Sequence, residues 1–374
     1  MNEASRSTLG AVSLIGCGYV ADLYMRSLAR HPEISVTGAW DRDPARLAAF
    51  CTHWGVAPYP SAAALFARGS LVLNLTNPTE HATVTRAALE AGAHVFSEKP
   101  MVTDLAEARA LAALAEARGL QLASAPSSVL SRTAQGLFRA LRQGVAGTPR
   151  LVYAELDDGF IPQAPLEAWA SESGAPWPFA DEFATGCTLE HAGYWLSWLI
   201  AAFGSVTRVD AATAEVIPDK RGHSGTPDLS TALIHFEAGP VARLTCSIVA
   251  PHDHRLRVIG EAGVLEVPRA WDNAAPVRFR RRMTLRRRLL ESPLPRSVGL
   301  SGAPHPMLPR QGAASMNFAL GPAEMLEAIA AGRPSRLSGA YALHLTEVTL
   351  AIAAGARTEI ASRCPPMEPM PWAA

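Results

Sequence analysis

The chain is 374 residues long, and its 34 lysines and arginines balance 34 aspartates and glutamates. That length accommodates two domains, and a neutral chain has no long-range field with which to recruit nucleic acid or an anionic membrane. Five scattered cysteines (17, 51, 187, 246 and 364) include no C-x-x-C pair, which argues against a zinc site or a disulfide framework. The polar opening Met1-Asn2-Glu3-Ala4-Ser5-Arg6 lacks a secretory-signal pattern. The most apolar helical stretch, 192–203, is too short to span a bilayer. A cytoplasmic location is expected.

Residues 11–15 form an apolar run with β-branched members, followed at once by Gly16-Cys17-Gly18-Tyr19-Val20-Ala21 and a helical stretch over 22–30. This is the strand–turn–helix context that makes G-x-G-x-x-A informative. The first glycine makes the tight turn, the second lets the backbone approach a pyrophosphate, and the small third residue lets helix and strand close up. The helix N-terminus then offers its free N–H groups to the diphosphate. A second apolar run over 34–40 ends in Asp41, 20 residues beyond Ala21, where a carboxylate accepts hydrogen bonds from the adenosine ribose. The register predicts dinucleotide binding. Asp41 would repel a 2′-phosphate, which favours NAD. Its neighbour Arg42 is able to pair with such a phosphate or to stack on adenine, which leaves NADP open.

Helices over 44–50 and 62–67 follow, then a buried strand over 71–75 that Thr76-Asn77-Pro78 breaks. A helix over 80–91 ends at Gly92, and a strand over 94–97 leads into Glu98-Lys99-Pro100. A helix over 104–118 and a strand over 120–123 complete the alternation. Repeated units of this kind predict a parallel, doubly wound sheet. Ligands bind such sheets beyond the carboxyl ends of the strands, where Thr76, Asn77 and Lys99 fall. Lys99 is one of only two lysines in a chain whose other basic residues are arginines. Unlike arginine, lysine gives up its proton when desolvated or set beside another cation. A surface lysine at a strand end is the alternative.

Beyond residue 150 the pattern changes. Residues 151–156, 206–216, 231–237, 241–248, 255–260 and 263–267 are strand-like, with turns at Glu237-Ala238-Gly239 and Glu261-Ala262-Gly263. They predict an open, mainly antiparallel sheet with a helix inserted over 188–203 and closing helices over 318–331 and 339–354. The proline-rich loop 291–314 reads as mobile or as a lid. The run from Arg278 to Arg288 holds seven arginines in eleven residues. It fits nucleic acid or a phosphorylated ligand less well than an exposed edge strand or a subunit contact.

Together, the Gly16-x-Gly18-x-x-Ala21 turn, Asp41, the 74–78 segment, His81 and Ala91-Gly92-x-His94-Val95-x-x-Glu98-Lys99-Pro100 resemble the Gfo/Idh/MocA oxidoreductases. That family groups glucose–fructose oxidoreductase, inositol dehydrogenase and rhizopine-catabolism relatives. The similarity runs over nearly the whole chain, including Met316-Asn317-Phe318-Ala319 and Ala342-Leu343-His344. It implies an N-terminal Rossmann domain (1–124) and a C-terminal α+β domain (125–374) for substrate binding and oligomerisation. Gly16, Cys17, Gly18, Tyr19, Val20, Ala21, Asp41, Arg42, Thr76, Asn77, His81, Glu98 and Lys99 are the expected cofactor residues. In that family the Glu-Lys-Pro lysine lies beside the nicotinamide and the substrate hydroxyl.

The chain departs from the family on the inserted helix, where Gly186-Cys187-Thr188-Leu189-Glu190-His191-Ala192-Gly193-Tyr194 replaces an Asp followed four residues later by His. Glu190 takes the Asp position and Tyr194 the His position, and the i, i+4 spacing keeps both on one face. A tyrosine here resembles glucose–fructose oxidoreductase and dihydrodiol dehydrogenase, where a tyrosine is implicated in proton transfer. Its ordinary pKa of about 10 makes it a poor base, and an ammonium such as Lys99 would lower that value. His191, about 100° round an ideal helix, is the alternative base, and Glu190 would bind a substrate hydroxyl or hold Lys99 charged. Asp157-Asp158 and Trp177 either line a sugar site or serve the fold. His252-Asp253-His254 suggests a metal, but the two histidines share a face only if the chain stays extended, and no third ligand is evident. They read as pocket or loop residues, with no metal expected.

These residues predict hydride transfer between a nicotinamide and a secondary alcohol or ketone of a sugar-like substrate. A glycosidase using tightly held NAD for transient oxidation and elimination, and a non-catalytic dinucleotide-sensing regulator, remain open. A homodimer or homotetramer is expected, because the uncovered face of the second sheet should leave a large apolar patch.

Overall fold

The computed structural model describes residues 8–68, 71–310 and 312–374, so Met1–Arg6 and Gln311 of the proline-rich loop lie outside the described residues. The elements run β1 (Gly10–Ile15), α1 (Tyr19–Leu28), β2 (Ile34–Trp40), α2 (Pro44–Trp54), α3 (Ala62–Phe66), β3 (Leu71–Asn74), α4 (His81–Glu90), β4 (Val95–Ser97), α5 (Leu105–Ala117) and β5 (Leu122–Ser124). There follow α6 (Arg132–Arg142), β6 (Pro149–Asp157), α7 (Phe179–Thr185), α8 (Cys187–Phe203), β7 (Val206–Ala214), β8 (Leu229–Phe236), β9 (Val241–Ser247), β10 (Leu256–Gly260) and β11 (Gly263–Val267). The last are β12 (Arg278–Leu285), β13 (Arg288–Glu291), β14 (Arg296–Ser297), α9 (Leu320–Ala330), α10 (Ala340–Ala353) and β15 (Arg357–Glu359).

Two compact units result. The first holds the described residues up to Ser127 together with Pro165–Asp181 and Phe318–Thr346; the second holds Ser128–Ala164, Glu182–Asn317 and Glu347–Ala374. Two later segments thus join the nucleotide unit rather than the wide sheet. Buried polar contacts fix them there. Asp22 of α1 is fully buried and accepts hydrogen bonds from the Trp54 indole (2.5 Å) and from the Ser173 amide and hydroxyl (2.9 and 2.8 Å). Ser127 Oγ donates to the Phe318 carbonyl and accepts from the Gly321 amide, each at 3.1 Å.

The first unit carries a five-stranded parallel sheet in the order β2-β1-β3-β4-β5. Its strands are near-continuous apolar runs because both faces are covered. Ile15, Val72, Val95 and Leu122 pack with Leu89 of α4 and Leu111 of α5. Helix boundaries follow local chemistry. Asp43 caps α2 through the Ala45 amide (2.9 Å) and Asp104 caps α5 through the Glu107 amide (2.9 Å). α2 runs four residues beyond the expected end at Phe50, to stop at Gly55 in the left-handed region (φ +66°).

The second unit carries a ten-stranded sheet in which β6 and β9 run parallel and the other pairs antiparallel. α8 lies on one face, with Trp195 and Trp198 buried; the Trp195 indole donates to the Glu155 carbonyl at 2.9 Å. The strand expected over 206–216 ends at Ala214 because the Val216 and Ile217 amides turn away to the buried Asp228 carboxylate, at 2.8 and 2.9 Å.

The opposite face is not the expected apolar patch. Arg243 lies over the Tyr153 ring (4.4 Å to its centroid) and pairs with Glu155, and Arg208 and His235 both reach Asp210 at 2.9 Å. Among its apolar residues, Leu151 and Leu233 are 40% and 46% exposed. The arginine run forms a hairpin of β12 and β13, with Arg280 and Arg282 donating to main-chain carbonyls of Ser292, Pro293, Gly260 and Glu261. Much of the following loop is tied down: β14 pairs with β12, and His305 Nε2 accepts from the Arg132 amide at 3.0 Å. Among the described residues, no helix is long and apolar enough to cross a membrane.

Candidate active site

The glycine turn sits where three strands end. Gly16 takes φ +92°, and a Cβ there would lie 2.6 Å from the Leu75 carbonyl oxygen, so the position requires glycine. Its amide donates to the Trp40 carbonyl at 2.9 Å, while the Cys17 amide donates to Asp41 Oδ2 at 2.7 Å. Gly18 differs: its φ is an ordinary −79°, and a Cβ built on it meets nothing within 4 Å. The open space over Gly18 lies at the N-terminus of α1, where no side chain caps the free amides.

That arrangement fits a dinucleotide. The backbone is accessible where a diphosphate must approach, and a carboxylate closes the next strand. Asp41 Oδ1 accepts from the Asp43 amide at 2.8 Å, so each oxygen has one main-chain donor and one lone pair left for a ribose hydroxyl. Arg42 is exposed and lies 3.6 Å from Glu80. Cys17 is buried, which pushes its thiol well above the usual range, with the Asp41 charge adding to the effect.

The loops after β3 and β4 are braced from beneath. Asn74 Nδ2 donates to the His81 carbonyl and to Thr85 Oγ1, each at 3.1 Å, while its oxygen accepts from the Thr76 hydroxyl at 2.7 Å. His81 is buried, with one ring nitrogen 2.6 Å from the Pro100 carbonyl and the other 2.9 Å from the Thr76 carbonyl. It therefore links the two loops. Asn77 Nδ2 donates to Asp181 at 2.7 Å. Glu98 is buried and its carboxylate accepts from the Tyr24 hydroxyl (2.7 Å) and from the Lys99 amide (2.9 Å). Tyr24 is fully buried, so α1 and the Glu98–Lys99 corner are locked together. The chain's other lysine, Lys220, is buried against Glu215 (2.6 Å) and Asp228 (3.7 Å), a structural anchor far in sequence from this corner.

In the second unit, α8 starts at Gly186, whose φ of +90° and closeness to Thr226 leave no room for a side chain. Glu190 is buried, Tyr194 half-buried with its ring 5.6 Å from Trp271. His191 does not point idly aside: its Nε2 lies 3.1 Å from Asp158 Oδ2, and its Nδ1 is buried without a hydrogen-bond partner. His254 Nε2 meets the other Asp158 oxygen at 2.7 Å and its ring packs 4.4 Å from Trp271. Burial works to raise the Asp158 pKa, but the charges and hydrogen bonds of His191 and His254 outweigh it and hold the carboxyl well below the usual range. Asp157 goes the other way: burial, then the Glu155, Asp253 and Asp158 charges, push it up to about 7.

The two adjacent aspartates therefore have opposite environments, because successive strand residues face opposite sides. Asp158 joins the α8 face; Asp157 belongs with Glu155 on the other. Trp177 lies in the first unit, its ring 5.1 Å from Trp169. Sequence reasoning missed Trp271, around which the rings of His191, Tyr194 and His254 gather, and the Asp158 bridge between two histidines. No local pattern marks either; only the pairing of β6 with the 252–254 segment brings them together.

Residues 11–125 match the model of the oxidoreductase family with an NAD-binding Rossmann fold, and residues 135–266 match the GFO/IDH/MocA C-terminal domain. The chain is 28% identical over 242 residues to D-apiose dehydrogenase of Paraburkholderia graminis, covering 63% of this chain and 60% of that protein. It is 30% identical over 151 residues to UDP-N-acetylglucosamine 3-dehydrogenase of Acidithiobacillus ferrooxidans, covering 40% of this chain and 46% of that one. The matched region thus spans less than two thirds of these relatives. An inositol dehydrogenase homologue from Azotobacter vinelandii, solved with NADH and myo-inositol, superposes with a TM-score of 0.73 at 20% identity, over 95% of this chain and 99% of that one. That likeness establishes the fold. With a glycine turn, a strand-end carboxylate and a Glu-Lys-Pro corner inside the matched segments, the chain belongs to the Gfo/Idh/MocA family of NAD-binding oxidoreductases.

Proposed function

We propose that the protein is a cytoplasmic NAD-dependent dehydrogenase acting on a secondary alcohol, or the matching ketone, of a sugar, polyol or sugar derivative. The observation that carries this reading is the Glu98–Lys99 corner, fastened by Tyr24 to the helix that follows the glycine turn. NAD, when bound, supplies the hydride acceptor. The main chain at Gly16–Ala21 and the Asp41 carboxylate bind and orient it, and Lys99 polarises the substrate oxygen. Tyr194 takes the hydroxyl proton, and Glu190 binds a neighbouring hydroxyl. The sugar-linked names of the relatives support the substrate class. A panel of sugars and polyols incubated with protein and NAD, followed by absorbance of the reduced nicotinamide, tests it. No turnover across the panel would contradict it.

One observation favours His191 as the proton acceptor instead. A carboxylate that fixes one ring nitrogen while the other stays unpartnered is the arrangement of an oriented general base. The variants decide between the two residues. If Lys99 and Tyr194 act on the same proton, Lys99→Met and Tyr194→Phe each lower kcat by roughly 10²-fold or more, with NAD affinity nearly unchanged. The double variant then loses less than the product of the single losses. A Tyr194→Phe enzyme of near-full activity beside an inactive His191→Asn enzyme transfers the role to His191.

The cofactor preference follows from Asp41. NAD(H) binds several-fold more tightly than NADP(H), and Asp41→Ala narrows the gap by removing the charge that repels a 2′-phosphate. Calorimetric titration of both cofactors reads this directly, and an NADP preference in the unaltered protein would refute it.

We further propose a homodimer or homotetramer assembled through the outer face of the wide sheet, where Leu151 and Leu233 are exposed and the Tyr153–Arg243 stack is half-buried. Light scattering at micromolar concentration then gives two or four times the chain mass of 39.7 kDa. A monomeric mass would contradict it.

A further inference from the structure

The segment after β9 brings two histidines beside Asp158, a grouping that neither the cofactor residues nor Lys99 accounts for. Asp157 and Asp253 pair as an isolated antiparallel bridge, their amides donating to each other's carbonyls at 3.0 and 2.9 Å. The chain through His252, Asp253 and His254 is therefore extended at this point. In an extended segment residues two apart share a face, and residues opposite one another across an antiparallel pair share it too. With Asp253 opposite Asp157, His252 falls opposite Asp158 and His254 opposite Leu156. His252, His254 and Asp158 consequently project from the same side. One ligand atom from each lies within 4.8 Å of the other two. The imidazole rings of His252 and His254 are 4.0 Å apart between centroids, at 35° to one another.

We propose that Asp158, His252 and His254 form a binding site for one divalent first-row transition ion. The donor set decides the class. Two imidazole nitrogens and one carboxylate oxygen suit zinc, iron, cobalt or nickel, whereas magnesium and calcium call for an all-oxygen shell. Three protein ligands leave one or more positions open to water or to an oxygen of a bound molecule. The surroundings are those such a site needs. The second Asp158 oxygen is held by His191, as an orienting group holds a ligating carboxylate. Trp271 packs on the buried His254 and limits its rotation, while His252 is exposed and gives the ion a way in. The competing account is a plain hydrogen-bonded cluster, in which His254 simply donates to Asp158 at 2.7 Å.

The test needs no substrate or NAD, so its result is independent of the dehydrogenase reading. Full-length protein is stripped with a chelator, dialysed, and titrated with Zn²⁺ by calorimetry and with Co²⁺ by visible absorption. One equivalent per chain is expected, with Co²⁺ bands of a nitrogen- and oxygen-ligated centre and a rise in Tm on loading. His252→Ala is the decisive variant, because an exposed imidazole can be removed while the Asp158–His254 bond stays intact. Its apo Tm should equal that of the unaltered protein and its Zn²⁺ affinity should fall roughly 10-fold or more, at least the loss seen on deleting an outer-shell partner. Asp158→Asn should lose affinity to a similar degree. Failure of the unaltered protein to take up either ion, or equal affinity in His252→Ala, would overturn the proposal and leave the hydrogen-bonded cluster.

Discussion

The main chain from Gly16 to Gly18 is the constraint on which the first unit depends. It is clamped by the ends of two neighbouring strands: the Trp40 carbonyl and Asp41 carboxylate on one side, the Leu75 backbone on the other. A hydrogen bond from a buried amide to a carboxylate contributes about 1.5–3 kcal/mol, enough to fix the turn before any ligand arrives. Preorganisation of this kind matters because an anion-binding backbone that had to be ordered on binding would lose affinity by that ordering cost. The same clamp sets where α1 begins, and α1 in turn carries Tyr24 to Glu98. The turn that would receive the diphosphate and the corner that carries Lys99 are thus parts of one rigid assembly.

The second unit solves a different problem, that of keeping a charged carboxylate inside. Asp158 is stabilised by two imidazoles rather than by an arginine, although the chain is rich in arginine. Imidazoles offer what guanidinium does not: each can lose a proton and become a ligand or a base. The neighbouring Asp157, lacking any such partner, is pushed toward neutrality instead. Elsewhere the sheet uses arginine where only fixed charge is needed, as in the Glu155–Arg243 pair stacked on Tyr153.

The parallel sheet was legible in the sequence because both-face burial writes itself as short apolar runs, and the glycine turn and Glu98-Lys99-Pro100 fall at their ends. The wide sheet was legible through alternation, but its outer face was not. Tyr153, Glu155 and Arg243 look like ordinary alternating residues until their stacking is seen, and the expected apolar patch proved to be an ion-paired surface. Helix α6 went unread because its polar sequence, RTAQGLFRALR, hides its buried face from a simple apolar count, despite the Ser131 cap. The 252–254 histidines were noticed, yet their third partner could not be. Asp158 lies 94 residues earlier than His252, and only strand pairing brings the two side chains to one face. Likewise nothing local distinguishes Trp271, and nothing local assigns 165–181 to the nucleotide unit through Asp22.

The central claim is that a diphosphate rests on the backbone at Gly18, and the structure separates that role from folding. Unlike Gly16, Gly18 has an ordinary φ, and a Cβ built on it meets nothing within 4 Å, so the backbone accepts Gly18→Val while a branched side chain is set over the turn. The decisive measurement is NAD affinity by calorimetry, with thermal melting of the same ligand-free sample. The account predicts a cooperatively melting protein whose Tm falls by no more than a poorer helix N-cap costs, and an NAD affinity weakened roughly 10-fold or more, a loss of at least about 1.4 kcal/mol. An unchanged NAD affinity in a well-folded Gly18→Val protein would contradict it.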